Sequence, residues 1–254
     1  MKLIKGFFKW LLIILIIVNV MILVTGNTHI YKGLQHTYLK GRSGPSPTEY
    51  TIFANNEIKA NKELPWAVSK NYNKLELSAV ARKELEDFKS LAFLVIKNDS
   101  ILYEEYWDEG AKGSITNSFS MAKTFVSVLV GIAIGEGKIK NEDQAVGDFI
   151  PEYKVGENAK LTIKHLLTMS SGIYFDEDYV SPFAYPAKAY YGTDIRSLTM
   201  KYKLVETPGK VFKYLSGNTE LLAFVLEKAT GESISAYASE KLWIPLGASK
   251  SAFW

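Results

Sequence analysis

The stretch "SFSMAKTFVSVLVGIAIGEG", residues 118–137, decides the fold, because it is a long apolar run with a single lysine near its start. A helix that is apolar on all sides is normally buried. A buried ammonium group is costly unless it is paired or neutral, and Lys123 in the first helical turn also faces the positive end of the helix dipole. The stretch therefore predicts a buried helix in which the pKa of Lys123 is lowered, so that its amine can accept a proton.

Ser120 precedes Lys123 by three residues, so both lie on one face of the predicted helix. A hydroxyl beside an amine that can take its proton is a typical pair of nucleophile and base. The alternative is structural, with Ser120 capping the helix and Lys123 extending its charge to solvent. Because the S-x-x-K spacing is common by chance, the catalytic interpretation needs a third group.

Tyr214 supplies that third group within "PGKVFKYLSGNTELLAFVLEKATG", residues 208–231. The pattern predicts a turn at Pro208, a short strand over 211–215 and a helix over 218–231 that ends at Gly231. A tyrosine at the junction between strand and helix can present its phenol to a cleft. The alternative is an ordinary half-buried aromatic residue.

The remaining patterns predict strands early in the chain and helices later. "LAFLVIKNDSILYEEYW", residues 91–107, reads as a hairpin with its turn at 98–99. "LTIKHLLTMSSG", residues 161–172, reads as a helix with Thr162 as N-cap and a stop at 172, and "ISAYASEKLW", residues 234–243, as another. We therefore expect an α+β fold, an antiparallel sheet packed against helices.

The basic residues are concentrated at the N-terminus. The net charge of +3 comes from six bases and no acid in residues 1–44, which leaves the rest mildly acidic and without the electrostatic footprint of a nucleic-acid-binding protein. Residues 1–26 predict a transmembrane anchor or a cleaved signal peptide, 27–50 a juxtamembrane linker and 51–254 the folded domain. The positive-inside rule places that domain outside the cytoplasm, and cleavage would make it secreted.

Cofactor chemistry has little support in the composition. The chain has no cysteine, and its three histidines are too widely spaced for a short metal-binding motif. We therefore expect no metal and no cofactor. His165 lies inside a predicted helix, and we expect it to have a structural role.

Several blocks together resemble the serine β-lactamase-related hydrolases, which have the penicillin-binding-protein/β-lactamase fold. The similarity is greatest to the branch of 6-aminohexanoate-dimer hydrolases and related esterases, and it covers roughly residues 45–254. The blocks are "SFSMAKTFVSVLVGIAIGEGKI", "PEY", "TIKHLLTMSSGIYFDEDY", "PGKVFKYLSGNTELLAFVLEKATG" and "LWIPLGA". The resemblance implies Ser120 as acylated nucleophile, Lys123 as proton acceptor and Tyr214 as second general acid/base. It also implies that the Ser120 backbone N–H forms half of an oxyanion hole.

The resemblance also implies a substrate-binding side made of Ser216, Asn218 and Tyr179, the last within "DEDY", residues 176–179. The alternative for "DEDY" is a solvated acidic loop. The substrate would be a small molecule or peptide-like compound. Related β-lactamases carry Tyr-x-Asn, whereas Tyr214 is followed two places on by Ser216. That departure favours an ester or amide over a β-lactam.

The family's third motif, K-T-G or H-x-G on a strand, is missing, since Lys228 to Gly231 fits a helix C-cap better. We therefore expect a fold that is incomplete at the C-terminus, with a chain that is marginally folded and weakly active or inactive. Two alternatives stay open: a sensor or pseudoenzyme of the same fold that recognises cell-wall peptides or β-lactams without turnover, and an interaction protein whose apolar helix packs against a partner.

Overall fold

A computed structural model describes residues 2–254, which form nine α-helices and five β-strands and so confirm the predicted α+β class. The helices are α1 (Lys2–Val24), α2 (His29–His36), α3 (Ala79–Asp87), α4 (Ala122–Gly135), α5 (Ile163–Leu167), α6 (Tyr185–Tyr191), α7 (Ile195–Thr199), α8 (Ser216–Thr230) and α9 (Ile234–Ala238). The strands are β1 (Glu57–Ile58), β2 (Ala67–Val68), β3 (Ala92–Lys97), β4 (Ser100–Tyr106) and β5 (Ala252–Phe253).

The chain divides into two compact units. The first consists of the chain up to Pro45 together with Lys123–Gly231, and the second of Ser46–Ala122 together with Glu232–Trp254. The first unit contains every helix except α3 and α9, and the second contains all five strands. The boundary falls inside the first turn of α4.

Helix α8 is the core of the first unit and packs against α5 and α7. Most of its side chains are buried, including the run from Leu221 to Leu226. Position 217 in α8 requires glycine, because the Cβ atom of any other residue would lie 2.3 Å from the ring of Phe175. At the other end, Gly231 adopts a left-handed φ of 77°, which confirms the predicted C-cap.

Helix α4 is buried on one face only, so the expectation of a helix buried on all sides is wrong. Its buried residues are Val126, Leu129, Val130 and Ala133. These have the i, i+3, i+4, i+7 spacing of a single face. Val128, between them in sequence, is 42% exposed. Because the α4 sequence is apolar throughout, its pattern does not indicate which face of the helix is buried.

Helix α5 begins as predicted but ends earlier. The Thr162 hydroxyl accepts a hydrogen bond from the His165 backbone N–H, and the His165 ring accepts one from the Thr162 N–H, which makes a capping box. This confirms the N-cap and the structural role of His165. The helix stops at Leu167, short of Gly172, because Met169 adopts a left-handed φ of 54°.

The second unit contains two small sheets. Strands β3 and β4 pair antiparallel through a turn in which Asn98 and Asp99 both have positive φ, which confirms the predicted hairpin. Strand β2 pairs parallel to β4, so this sheet is mixed, whereas the sequence predicted only antiparallel pairing. The second sheet joins β1 to β5 antiparallel, with Ile58 opposite Ala252.

The N-terminal segment is helical beyond the predicted anchor. Residues Ile4–Val24 form a helix long and apolar enough to cross a membrane, and a signal sequence would have the same length and composition. Residues 27–50, predicted as a linker, contain α2. Helix α2 packs against α6 within the first unit, so this part of the segment is folded onto the body of that unit.

Candidate active site

Ser120 lies in a 3-10 turn, Phe119–Met121, that leads directly into α4. The side chain is exposed and belongs to the second unit. Phe119, immediately before it, has a φ of 46°. A bulky residue in the left-handed region is strained, and such strain concentrates at functional sites. The local backbone therefore fits a turn that presents a reactive hydroxyl at the start of a helix.

Lys123 and Tyr214, two of the three predicted catalytic residues, lie together in the first unit. The Lys123 Nζ atom is 5.2 Å from the centroid of the Tyr214 ring, within the range of a cation–π contact. Lys123 is half-buried and Tyr214 is 43% exposed. An amine against a phenol at a partly open position has the components for moving a proton to or from a ligand.

Glu220 is a further acidic group near this pair that the sequence reasoning missed. It projects from α8, and burial raises its pKa to about 7 against the opposing effect of the Lys123 charge. Its own charge contributes to the raised pKa of Tyr185, a buried phenol on α6. Glu220 therefore lies close enough to groups on α4 and α6 to interact with both. The signal in the sequence was a single carboxylate within the otherwise apolar "TELLAFV".

We expect Glu220→Gln to stabilise the protein at alkaline pH and not at acid pH. The folded-state pKa lies above the value of 4.5 for a free glutamate, so the folded protein binds a proton that the unfolded chain releases between those values. Stability therefore falls as pH rises from about 4.5 to about 7. Glutamine carries no charge at any pH. The free energy of unfolding of the variant should therefore exceed that of the wild type by about 1–3 kcal/mol at pH 8, as measured by urea unfolding.

The matched control is Glu142→Gln, the same substitution at an exposed position of the first unit. It should leave the pH dependence of stability unchanged. A gain for Glu220→Gln that is equal at pH 4.5 and pH 8 would contradict the argument, because the benefit would then not come from removing a titrating charge.

Ser216 and Tyr179, predicted on the substrate side, are joined through Glu177. One Glu177 carboxylate oxygen accepts the Ser216 backbone N–H at 2.8 Å, and the other accepts the Ser216 hydroxyl and, at 2.7 Å, the Tyr179 hydroxyl. The carboxylate thus caps the N-terminus of α8, where negative charge is favourable. Most of the Tyr179 side chain is exposed, but desolvation of its phenol and the bond to Glu177 raise its pKa to about 12.

Asn218, the other predicted substrate-side residue, is completely buried below this surface. Its amide nitrogen donates to the Met169 sulfur at 3.5 Å, and its amide oxygen has no hydrogen-bond partner among the described residues. Residues 211–215 do not form the predicted strand; there the Lys213 N–H donates to the Met169 carbonyl at 2.8 Å. Tyr214 is therefore held by an irregular segment tied to Met169.

The described part of the chain contains no cluster of side chains suited to binding a metal ion. Across residues 2–254, no three histidine, aspartate or glutamate side chains lie close enough together to hold a metal ion. What the residues above provide is a hydroxyl in one unit and an amine, a phenol and a carboxyl group in the other. These are the functional groups of acyl-transfer chemistry.

Comparison with known proteins gives a family match over most of the chain. The profile of the family described as Beta-lactamase matches residues 77–254. Protein flp of Staphylococcus aureus is 27% identical over 173 residues, covering 64% of this chain and 34% of that protein. The 6-aminohexanoate-dimer hydrolase of Paenarthrobacter ureafaciens is 27% identical over 185 residues, covering 67% of this chain and 46% of that protein. The chain thus spans less than half the length of these relatives.

The fold is also similar to that of a solved structure. A protein from Bacillus anthracis described as a 6-aminohexanoate-dimer hydrolase superposes with a TM-score of 0.70 and 24% identity. The superposition covers 82% of this chain and 60% of that one. At this identity the similarity concerns the fold alone.

Proposed function

We propose, from the premise that this chain belongs to the beta-lactamase family, that it is a serine hydrolase acting through an acyl-enzyme on an ester, amide or peptide-like bond. The observation that carries the proposal is the Lys123 amine lying 5.2 Å from the centre of the Tyr214 ring. Two residues predicted for proton transfer, far apart in sequence, meet within one compact unit.

In the proposed acylation step, the Ser120 hydroxyl oxygen attacks the carbonyl carbon of the substrate while its proton passes to the Lys123 amine. The carbonyl oxygen becomes an oxyanion, for which the Ser120 backbone N–H is one proposed donor. Collapse of this intermediate breaks the bond to the leaving alcohol or amine. The Tyr214 phenol gives that leaving group its proton, and the acyl group stays on Ser120 as an ester.

In the proposed deacylation step, water attacks the acyl ester and loses its proton to the base that Tyr214 and Lys123 form together. The Ser120 oxygen leaves and takes back a proton from the Lys123 ammonium, while the proton from water restores the Tyr214 phenol, which completes the cycle. Glu220 is proposed to balance the charge of Lys123, since that charge opposes the rise in the Glu220 pKa. We assign it to positioning and charge balance, without contact with the substrate.

The membrane part of the proposal rests on α1. Its apolar stretch Ile4–Val24 would be about 30 Å long, enough to cross the hydrocarbon core. Lysines at positions 2, 5 and 9 favour a cytoplasmic N-terminus. We propose that α1 tethers the hydrolase with its folded units on the extracytoplasmic side.

A fluorophosphonate probe should attach to Ser120 and to no other serine of the same helical segment. The probe phosphonylates a serine only where a base activates the hydroxyl, and Lys123 is proposed to do this for Ser120. The measurement is peptide mass spectrometry of the labelled full-length chain in detergent.

The internal control is Ser127, an exposed serine of α4 whose hydroxyl donates to the Thr124 carbonyl at 2.8 Å. Equal modification of Ser120 and Ser127 would mean that exposure, and not activation, governs labelling. Absence of label at Ser120 would refute the nucleophile assignment. Rapid labelling with a burst of ester cleavage and no turnover would indicate a protein that is acylated once.

A further inference from the structure

Helix α2 is fixed close to the end of α1. It starts at His29, five residues after α1 ends, and the turn between them contains Gly26 at a φ of 69°. The Tyr31 hydroxyl reaches back and donates to the Asn19 side chain of α1 at 2.8 Å. Asn19 lies about 7 Å before the end of α1, at 1.5 Å per residue. If α1 crosses a membrane, α2 lies at the level of the lipid head groups.

Helix α2 is also fixed to the body of the first unit. His29 is buried, and its Nε2 atom donates to the Pro182 carbonyl at 2.8 Å. Gly33 lies against the Tyr191 ring of α6, where an added Cβ atom would be 3.4 Å from the ring. The loop that carries Pro182 and the helix that follows it are therefore attached to the segment nearest the membrane.

That loop, residues 179–183, exposes an unusual amount of apolar surface. Val180 is 92% exposed, more than any other large hydrophobic residue in the described part of the chain. Tyr179 is 67% exposed and Phe183 is 55% exposed. Exposed apolar groups clustered in this way mark sites of interaction with another protein or a membrane. Tyrosine in addition suits the membrane–water interface, where one end is apolar and the other wet.

We propose that the loop Tyr179–Phe183 inserts into the interfacial layer of the same bilayer that α1 crosses, as a second membrane contact. The inference rests on the proposed tether, because α1 places α2 at the membrane surface and His29 holds the loop to α2. The bilayer is the occupant that the structure favours, since the exposed side chains adjoin a helix that begins five residues beyond the span.

The second contact reaches the candidate active site through a short chain of bonds. Tyr179 donates to Glu177, and Glu177 caps α8 at Ser216, two residues after Tyr214. The entrance beside Tyr214 would therefore lie near the membrane surface. A substrate held in the membrane would reach it without diffusing through bulk solvent.

The absence of native cysteine allows a direct test by site-specific labelling. The full chain is reconstituted in vesicles of equal parts phosphatidylcholine and phosphatidylglycerol after Val180→Cys and attachment of an environment-sensitive fluorophore. Some of the lipids carry a nitroxide high in the acyl chain. We expect a blue-shifted emission and strong quenching at position 180.

Two matched valine-to-cysteine variants make the outcome decisive. Val20→Cys reports on α1, and Val155→Cys reports on an exposed valine elsewhere in the first unit. Quenching at 20 and 180 but not at 155 supports the proposal. Quenching at 20 alone overturns the second contact and leaves the tether intact, whereas no quenching at 20 overturns the tether itself. Quenching at 155 as strong as at 180 overturns the specific role of the loop.

Discussion

Ser120→Ala is expected to lower the rate of acylation by an activated ester by at least about 10⁴-fold, because alanine removes the only atom that can form the acyl bond. The Lys123 amine and Tyr214 phenol remain in the variant, but without the hydroxyl they have no nucleophile to activate. The measurement is the stopped-flow rate of p-nitrophenol release from a p-nitrophenyl ester, with the full chain in detergent.

Ser127→Ala is the matched control for this experiment, since it makes the same change two helical turns further along the same helical segment. It should react at the wild-type rate. Both variants change exposed residues, so both should fold, and their far-ultraviolet circular dichroism spectra should match that of the wild type. A Ser120→Ala protein that still releases p-nitrophenol at the wild-type rate would show that the nucleophile lies elsewhere.

Tyr214→Phe is expected to lower the acylation rate by about 10²–10⁴-fold, the usual contribution of a general acid or base. Phenylalanine keeps an aromatic face beneath the Lys123 Nζ atom, so the cation–π contact is retained while the phenol is lost. The loss should be largest for esters with poor leaving groups, because these depend most on protonation by the phenol. The measurement is the acylation rate of each variant with a series of p-nitrophenyl and alkyl esters.

Tyr214→Leu separates the two roles of this side chain. If the ring also positions Lys123, the leucine variant should be slower than the phenylalanine variant. The double variant Tyr214→Phe with Lys123→Ala should lose less transition-state stabilisation than the sum of the two single variants. Residues that act as one unit do not have additive effects on the rate. Equal rates for wild type and Tyr214→Phe on every ester would remove Tyr214 from the mechanism.

Local sequence signals predicted the elements whose stability depends on nearby residues. The hairpin of β3 and β4 was predicted from its turn, the start of α5 from Thr162, and the end of α8 from Gly231. In each case a cap or a turn residue fixes the backbone within a few positions. The contact between Lys123 and Tyr214 agrees with the grouping that the family resemblance implied.

Features that depend on distant partners could not be predicted in the same way. Residues 211–215 alternate like a strand but pair with no strand among residues 2–254, and a hydrogen bond from the Lys213 N–H to the Met169 carbonyl holds them instead. Helix α2 is short and lies in a segment with linker composition, and its packing on α6 stabilises it. The interaction of Glu220 with Lys123 and the capping by Glu177 both join residues that are far apart in the chain.

The bonds from Glu177 to Ser216 also bear on how this protein could be re-engineered or diversify. The Glu177 carboxylate, just before the loop Tyr179–Phe183, holds the start of α8 through Ser216. These bonds do not involve the side chains of Val180 and Phe183. Mutations at Val180 or Phe183 would therefore leave the position of Tyr214 unchanged. Libraries that keep Glu177 and randomise Val180 and Phe183 would therefore vary the proposed membrane contact while leaving the start of α8 in place.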